Sequence, residues 1–561
     1  MGLLDEYIVG IDGPWGDKQA AHLWRRAGFG AAPSERATAI GNGDQTSFRA
    51  AVDALVDIQA DDPHLDQPAG SSPSTFGAPF ADIADDDELL GTIKNPTDEI
   101  SMIGHWVYRM RYTSQPLQEQ LALFLHDHMV SDVTKLYGSI PFDITAGNDG
   151  SIEYQACDSG TLPPDDHRVE QYVIKLLQEQ NDLFRHIGID GFRDLLIQIT
   201  RNPAMLVYLD NWINFKDGAQ ENFAREVMEL FSMGVGNYSE FDVQQIAKCL
   251  TGETLHHFLC ELDYQTEYGF VTELHEPGEK TVFGQTIAED FTGQETLDVI
   301  NLILQKRSVR PNVSGLAIPY NTLPATAVYM SWKLLTWFVS HDIALSPVPD
   351  QAVLELAHFM RGSDDAPYPE RRFTYDIRAC LRKLFLSKFF YSDANFKTMY
   401  KNPADFTVGT LKCLEVDELF GAWDGPGGNM LLSGMRLYSP PNVAGWNHGK
   451  SWINSSNLIA RYNYANRLAQ WILGSEEYGQ PRIDALLSEN GGPILGFNDH
   501  LGMIEYFRNR LIQDDLPPEE ITLLLTFLDE TPEWDDGIWR YRIKMQGLIH
   551  LMMCMQAYQL K

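Results

Sequence analysis

The chain has 561 residues, of which 44 % are hydrophobic and 11 % aromatic, enough apolar material for a sizeable core. Its 78 acidic residues against 43 basic ones give a formal net charge of −35. Such a surface repels phosphate backbones and anionic lipid headgroups, which argues against nucleic acid and against an electrostatic membrane anchor; nor does any run reach the roughly 18–20 apolar residues of a membrane span.

The first residues, MGLLDEYIVGIDG, contain no basic stretch followed by a long apolar one, so the chain as written is expected to be cytoplasmic. Residues 18–59 read as one or two helices, with Leu23, Val52, Leu55 and Val56 among the apolar positions. Residues 60–98 change character. They hold Asp61-Asp62-Pro63, Gly70-Ser71-Ser72-Pro73 and the acidic cluster Asp85-Asp86-Asp87-Glu88, and predict an exposed acidic loop insertion. A helix begins at Ser114-Gln115-Pro116, where proline suits the first turn, and Leu117, Leu121, Phe124 and Leu125 follow at helical spacing. Residues 138–164 are rich in Gly, Asp and Pro and predict a loop. Helices are predicted over 166–186, 190–201 and 203–209.

Gln220 to Met233 predicts another helix, closed by Gly234 in the left-handed position past its end. Ser239 and Asp242 form a capping box for the next one, which stops near Gly252. Residues 253–290 are the best candidate for β structure. Phe270 to His275 and Lys280 to Gln285 flank Pro277-Gly278, which predicts one small hairpin near 268–286. Further helices are predicted over 294–306, 325–340, 350–361, 374–388, 403–414 and 455–473, with two more near 500–530 and 536–557. The fold expected is mainly α, a large multi-helical body with that one hairpin. Six cysteines without a CxxC pair predict buried, reduced thiols rather than a disulfide framework.

Four stretches could carry chemistry. In His126-Asp127-His128, residues two apart on a helix diverge by about 200°. The two imidazoles therefore cannot share one ion unless the helix breaks, and each sits in apolar company, as core histidines or as ligands and acid–base groups. In the segment Glu221-Asn222-Phe223-Ala224-Arg225-Glu226-Val227-Met228-Glu229, helical spacing puts Asn222, Arg225, Glu226 and Glu229 on one stripe. That stripe could bind a hard cation or polarise a water, or be a solvated face with an Arg225–Glu229 pair. His275 and Lys280 stand at the predicted hairpin tip with Glu276 and Glu279, and His256-His257 lies near in sequence. Finally, residues 439–454 form a Pro/Gly-punctuated loop with Asn442, Trp446, His448 and Trp452, suited to lining a polar-ligand pocket or to filling a core, and they lead into a helix bearing Arg461. No GxGxxG, GxxxxGK[ST], HExxH, GxSxG or CxxCH motif occurs, so nucleotide-dependent, zincin, α/β-hydrolase and covalent c-type haem chemistry has no support.

Together these stretches resemble one family. The segment Ala20 to Gly30 (AAHLWRRAGFG) looks like its N-terminal signature, and the His126–His128 stretch looks like its FWHNHF motif. Phe192 to Asn211, ENFAREVMELFSMGVGNYSEFDV at 221–243, Gly278 to Thr281, Tyr375 to Arg378, Pro440 to Trp446 and Ala557 to Leu560 continue the match. The family is the bacterial domain-of-unknown-function 1800 group. The resemblance spans nearly the whole chain and implies one family unit over 1–561, with insertions. It supplies no function. Members are often encoded beside a sulfatase-like family, which implies a protein partner. Asp127 departs from the family's middle Asn, and Gln220 from a Pro; the acidic Asp127 adds a potential ligand. The family motif also retains the stripe of Asn222, Arg225, Glu226 and Glu229, which an ordinary solvated face would not require.

The expectation that follows is a metal-dependent enzyme whose site lies between the 126–128 and 222–229 helices. His126, His128 and Glu226 would be ligands to Zn, Mn or Fe, and Glu226, Glu229 and Arg225 would be the catalytic groups. Asn222, His275, Lys280, Asn442, Trp446 and Arg461 would shape the pocket. The alternatives are a non-catalytic assembly partner of the sulfatase-like neighbour and a protein holding non-covalent haem on a helical histidine.

Overall fold

The computed structural model describes residues 2–59, 98–139, 143–146, 152–155, 166–186, 191–257, 266–341, 347–362, 375–415, 425–472, 488–489, 492–493, 499–530 and 537–561. The architecture is mainly α. The first stretch forms three helices, Asp17–Ala27, Pro33–Ile40 and Gln45–Val56, where one or two were expected. Polar caps set many of the starts. Asp44, Asp98, Asn202, Ser239, Asp376 and Asn402 each accept a backbone N–H from the first turn of the helix that follows, satisfying donors that have no partner inside the helix. The predicted acidic insertion lies outside the described residues, apart from Asp98.

Two helices form the spine. Pro116–His128 has all 13 of its residues buried, and Pro403–Cys413 all 11. A helix that is buried all round must satisfy its polar groups internally. Glu119 does so with Arg109 at 3.0 Å, Arg185 at 2.7 Å and Trp106 Nε1 at 3.1 Å. Where the two spines meet, Gln120 Nε2 donates to Asp405 Oδ1 at 3.0 Å.

The apolar core falls into two clusters. The larger runs from Leu4 to Trp452, and the smaller joins helices Ser455–Ile472, His500–Phe507, Pro518–Glu530 and Gly537–Cys554. Helix Pro403–Cys413 belongs to both, giving Ala404 and Val408 to the first and Phe406 and Leu411 to the second.

The β structure differs from the expectation. Thr266–Phe270 pairs with Glu253–His257, not with the strand after Pro277-Gly278. Lys280–Val282 pairs with Gln285–Ile287 across Phe283-Gly284. Both turn residues have positive φ (52° and 76°), the backbone of a tight two-residue hairpin. The single predicted hairpin is therefore two. Residues 138–164 are also not all loop, since Asp143–Ala146 pairs with Ile152–Gln155, and a fourth short pair joins Ser488–Glu489 to Gly492–Pro493. The predicted helix from Gln220 to Met233 starts as an α-helix, Glu221–Glu226, and continues as a π-helix, Val227–Ser232. Gly234 follows with φ 76°, in the terminating role expected of it. Cys249, Cys380 and Cys413 are buried free thiols, and Cys554 is a partly exposed one. Among the described residues, no helix is long and apolar enough to cross a membrane.

Candidate functional site

The Pro116–His128 helix ends against the loop of residues 439–454, and the contact is made by Asp127. Its Oδ1 accepts the Trp446 backbone N–H at 2.7 Å, and its Oδ2 lies 3.1 Å from His448 Nε2. Gly445 makes this approach feasible. It sits at φ 92°, and a Cβ there would fall 2.4 Å from Asp127 Oδ1 and 2.5 Å from the Asp127 carbonyl oxygen. Asp127 itself is 5 % exposed, whereas the His448 side chain is 40 % exposed. The dyad thus has a buried carboxylate behind an imidazole that faces solvent.

Behind the dyad lies a small, mostly apolar pit with charged groups on its floor. Its walls are Trp337, Trp446 and Trp452, with His341, Asp405 and Lys561 deeper in. About 20 Å3 is open to the centre of a water molecule, room for roughly one such molecule. The Trp337 ring meets His448 edge-on at 6.0 Å. On the floor, Lys561 Nζ donates to Asp405 Oδ2 at 2.5 Å, and both side chains are buried. Asp405 also completes a capping box with Asn402. Burial lowers the affinity of Lys561 for its proton, and the Asp405 carboxylate works against that. His341 is driven down to about 3, first by burial and then by the Lys561 charge. Lys401, the neighbour of this floor, is brought down to about 7 by burial.

The residues chosen from sequence are distributed differently. His126 and His128 are both buried, and burial holds each at about 3, so both are neutral in the fold. His126 is packed by the rings of Trp106, Tyr438 and Trp446. His128 stacks on Phe124, and its Nε2 meets the Phe231 carbonyl at 2.9 Å. Trp446 does belong to the site, through its backbone and its ring, while Asn442 is exposed and caps its own turn at the Ala444 N–H.

The Glu221–Ser232 segment is a separate place. His128 touches its backbone, but its charges face one another. Arg225 binds Glu240 at 2.7 Å and Glu221 at 3.3 Å, not the expected Glu229, which instead accepts from the Tyr238 hydroxyl. The switch to π-helix after Glu226 alters the spacing on which the expected Arg225–Glu229 pair rested. Burial, followed by the Glu229 charge, raises Glu226 above its ordinary value. Asn222 donates to the Leu209 carbonyl at 3.3 Å.

His275 and Lys280 are not on an exposed tip. Both are about 2 % exposed and converge on Glu295 Oε1, at 3.2 and 2.9 Å. Arg461 is fully buried far along the chain's C-terminal cluster, donating to Gln559 Oε1 at 3.0 Å and to the Lys401 carbonyl at 2.7 Å. The side chains of His256 and His257 lie outside the described residues. Among the described residues, no three His, Cys, Asp or Glu side chains gather closely enough to hold a metal ion, so the expected His126/His128/Glu226 ligand set does not assemble.

Sequence reasoning quoted His448 within its loop and noted Asp127 as a departure, but did not pair them. It missed His341, Lys401, Asp405 and Lys561 altogether. One signal was present: Asn402-Pro403-Ala404-Asp405 is a capping sequence, but nothing local says that its carboxylate also receives Lys561.

The protein is thus a large helical molecule with a carboxylate–imidazole dyad at the mouth of an aromatic-walled pit. Residues 22–141 and 167–560 match the family described as Protein of unknown function (DUF1800), and the chain belongs to that family. No curated protein and no solved structure matches it.

Proposed function

We propose that the protein is an enzyme in which His448, oriented by Asp127, serves as general base and acid toward a small polar substrate bound at the mouth of the pit. One observation carries this reading. The Asp127 carboxylate is held by a backbone N–H and lies 3.1 Å from His448 Nε2, close enough to orient the imidazole and support its charge while its other nitrogen meets a substrate. The tryptophans supply apolar walls for a ligand, and the Lys561–Asp405 pair lies deeper in the same pit.

A panel of chromogenic esters, amides, phosphoesters and glycosides tests the reading. His448→Ala and Asp127→Asn are expected to lower kcat/KM on any substrate turned over by about 10²-fold or more, with unfolding midpoints close to that of the wild type. Wild-type inactivity across the panel, or turnover that survives His448→Ala, overturns it. The first of those results, joined to a stoichiometric complex with the sulfatase-like neighbour, would favour an assembly role.

A further inference from the structure

On the far side of the Asp405–Lys561 pair lies a second small cavity, lined by Arg25, Lys401, Lys561, Asp405, Cys413 and Gln513 among others. We propose that this cavity holds one small monovalent anion of chloride size, which balances the buried charges of Arg25 and Lys401.

The charge count comes first. Three cations and one carboxylate line the space. The carboxylate is already committed, since Asp405 receives Lys561 Nζ at 2.5 Å, Gln120 Nε2 at 3.0 Å and the Asn402 N–H at 3.2 Å. Arg25 is 4 % exposed and makes a single side-chain bond, from Nη1 to Gln513 Oε1 at 3.1 Å. Its Nε and Nη2 are buried without a partner. Lys401 is 6 % exposed, and its ammonium rests on the face of the Tyr558 ring at 3.4 Å, with no acceptor among the described residues. A buried guanidinium and a buried ammonium without acceptors are costly. The chain carries 78 acidic residues, so the missing counter-charge does not reflect a shortage of carboxylates.

The ligand must be small. The cavity leaves about 10 Å3 for the centre of a water-sized particle, room for a monatomic anion or a water. The wall is kept thin by Gly30, at φ 92°, where a Cβ would lie 3.3 Å from Cys413 Sγ. A water would fill the space but leave the charge unbalanced. Asp514 acts on Arg25 through its charge but makes no bond to it, and it also sits 3.8 Å from Lys397. Burial lowers Arg25 to about 10 and Lys401 to about 7, the direction expected where no anion is counted.

The test uses the full-length protein prepared in sodium gluconate and titrated with sodium chloride or bromide at constant ionic strength. A saturable rise in the unfolding midpoint with either halide is expected, and so is an anomalous bromide peak between Arg25 and Lys401 in soaked crystals. Lys401→Met and Arg25→Gln should each abolish the halide response while unfolding no earlier than wild type in gluconate, because each removes an unbalanced buried charge. An unchanged midpoint in halide and gluconate, or a halide response that survives in both variants, overturns the proposal. So does thiolate absorbance at neutral pH that Cys413→Ser removes, since the counter-charge would then belong to the protein. None of these readouts depends on turnover at His448.

Discussion

The Asp127 pit and the Glu221–Ser232 helix hold similar inventories of charge and use them in opposite ways. In the helix, Arg225 is satisfied by Glu221 four residues back and by Glu240 on the next helix, and the side chains of all three are at least about one-third exposed. Its carboxylates compete with water, and pairs of this kind contribute little. In the pit, Asp127, His448, His341, Asp405 and Lys561 come from five separated segments and meet around one small space. Asp127, Asp405 and Lys561 are buried there, so removing the partner of any of them leaves a charge in a medium that solvates it poorly. Charge in a motif is therefore a poor guide to a site, and the burial of its partners is a better one.

That contrast can be broken by substitution. The largest loss is expected for Asp405→Ala, which leaves the Lys561 ammonium buried without its carboxylate; about 3–5 kcal/mol of stability should go, measured by denaturant unfolding. Acidity should act next. His126, His128 and His341 are held near 3 by burial, well below the roughly 6.5 of an unfolded histidine. The unfolded chain therefore binds protons that the fold excludes. Stability should be complete above about pH 6.5 and fall below it by up to about 1.4 kcal/mol per pH unit for each ring. Unfolding curves across pH 4–8 would show this, and His126→Phe should flatten the slope.

Gly445→Ala should cost about 1–3 kcal/mol, because the new methyl strikes Asp127 and the residue must keep a positive φ; it should also cut any turnover that His448 supports. On the helix, Arg225→Ala should move the unfolding midpoint by no more than about two degrees. A drop as large as that of Asp405→Ala would erase the distinction between the two regions. The smallest effect is expected for Glu226→Gln. Burial and then Glu229 raise the Glu226 pKa, so its ionised form is slightly disfavoured in the fold. The neutral amide should be equal or marginally more stable at pH 7, and the difference should vanish in acid once Glu226 is protonated.

Most of the helical body was legible along the chain. Pro116, Asn202-Pro203, Ser239 with Asp242, and Gly234 mark ends through local hydrogen bonding and backbone sterics, and those ends fall where expected. The β pairing was not, because Gly252 at φ 81° folds the 253–257 strand back toward Val271, and that register depends on tertiary approach. The candidate site was half legible. Asp127, Trp446 and His448 all stood within quoted motifs, but 319 residues separate Asp127 from Trp446, and no periodicity reports a contact of that kind. The His126 and His128 rings were placed correctly in apolar surroundings, while their assignment as ligands rested on carboxylates that point elsewhere.

What the sequence determined by itself was the helical class, the caps and breaks of the main helices, the apolar setting of the HDH histidines and the resemblance that the family match confirms. These follow from interactions within a few residues, or from many motifs in a set order. Only the tertiary structure decided which charges meet: Asp127 with His448, Asp405 with Lys561, and Arg25 with Lys401, neither of which bonds a carboxylate among the described residues. The reason is physical. A side chain's charge is written in its residue type, but the energy of that charge depends on the water removed from around it and on the partner supplied in return, and both come from distant parts of the chain.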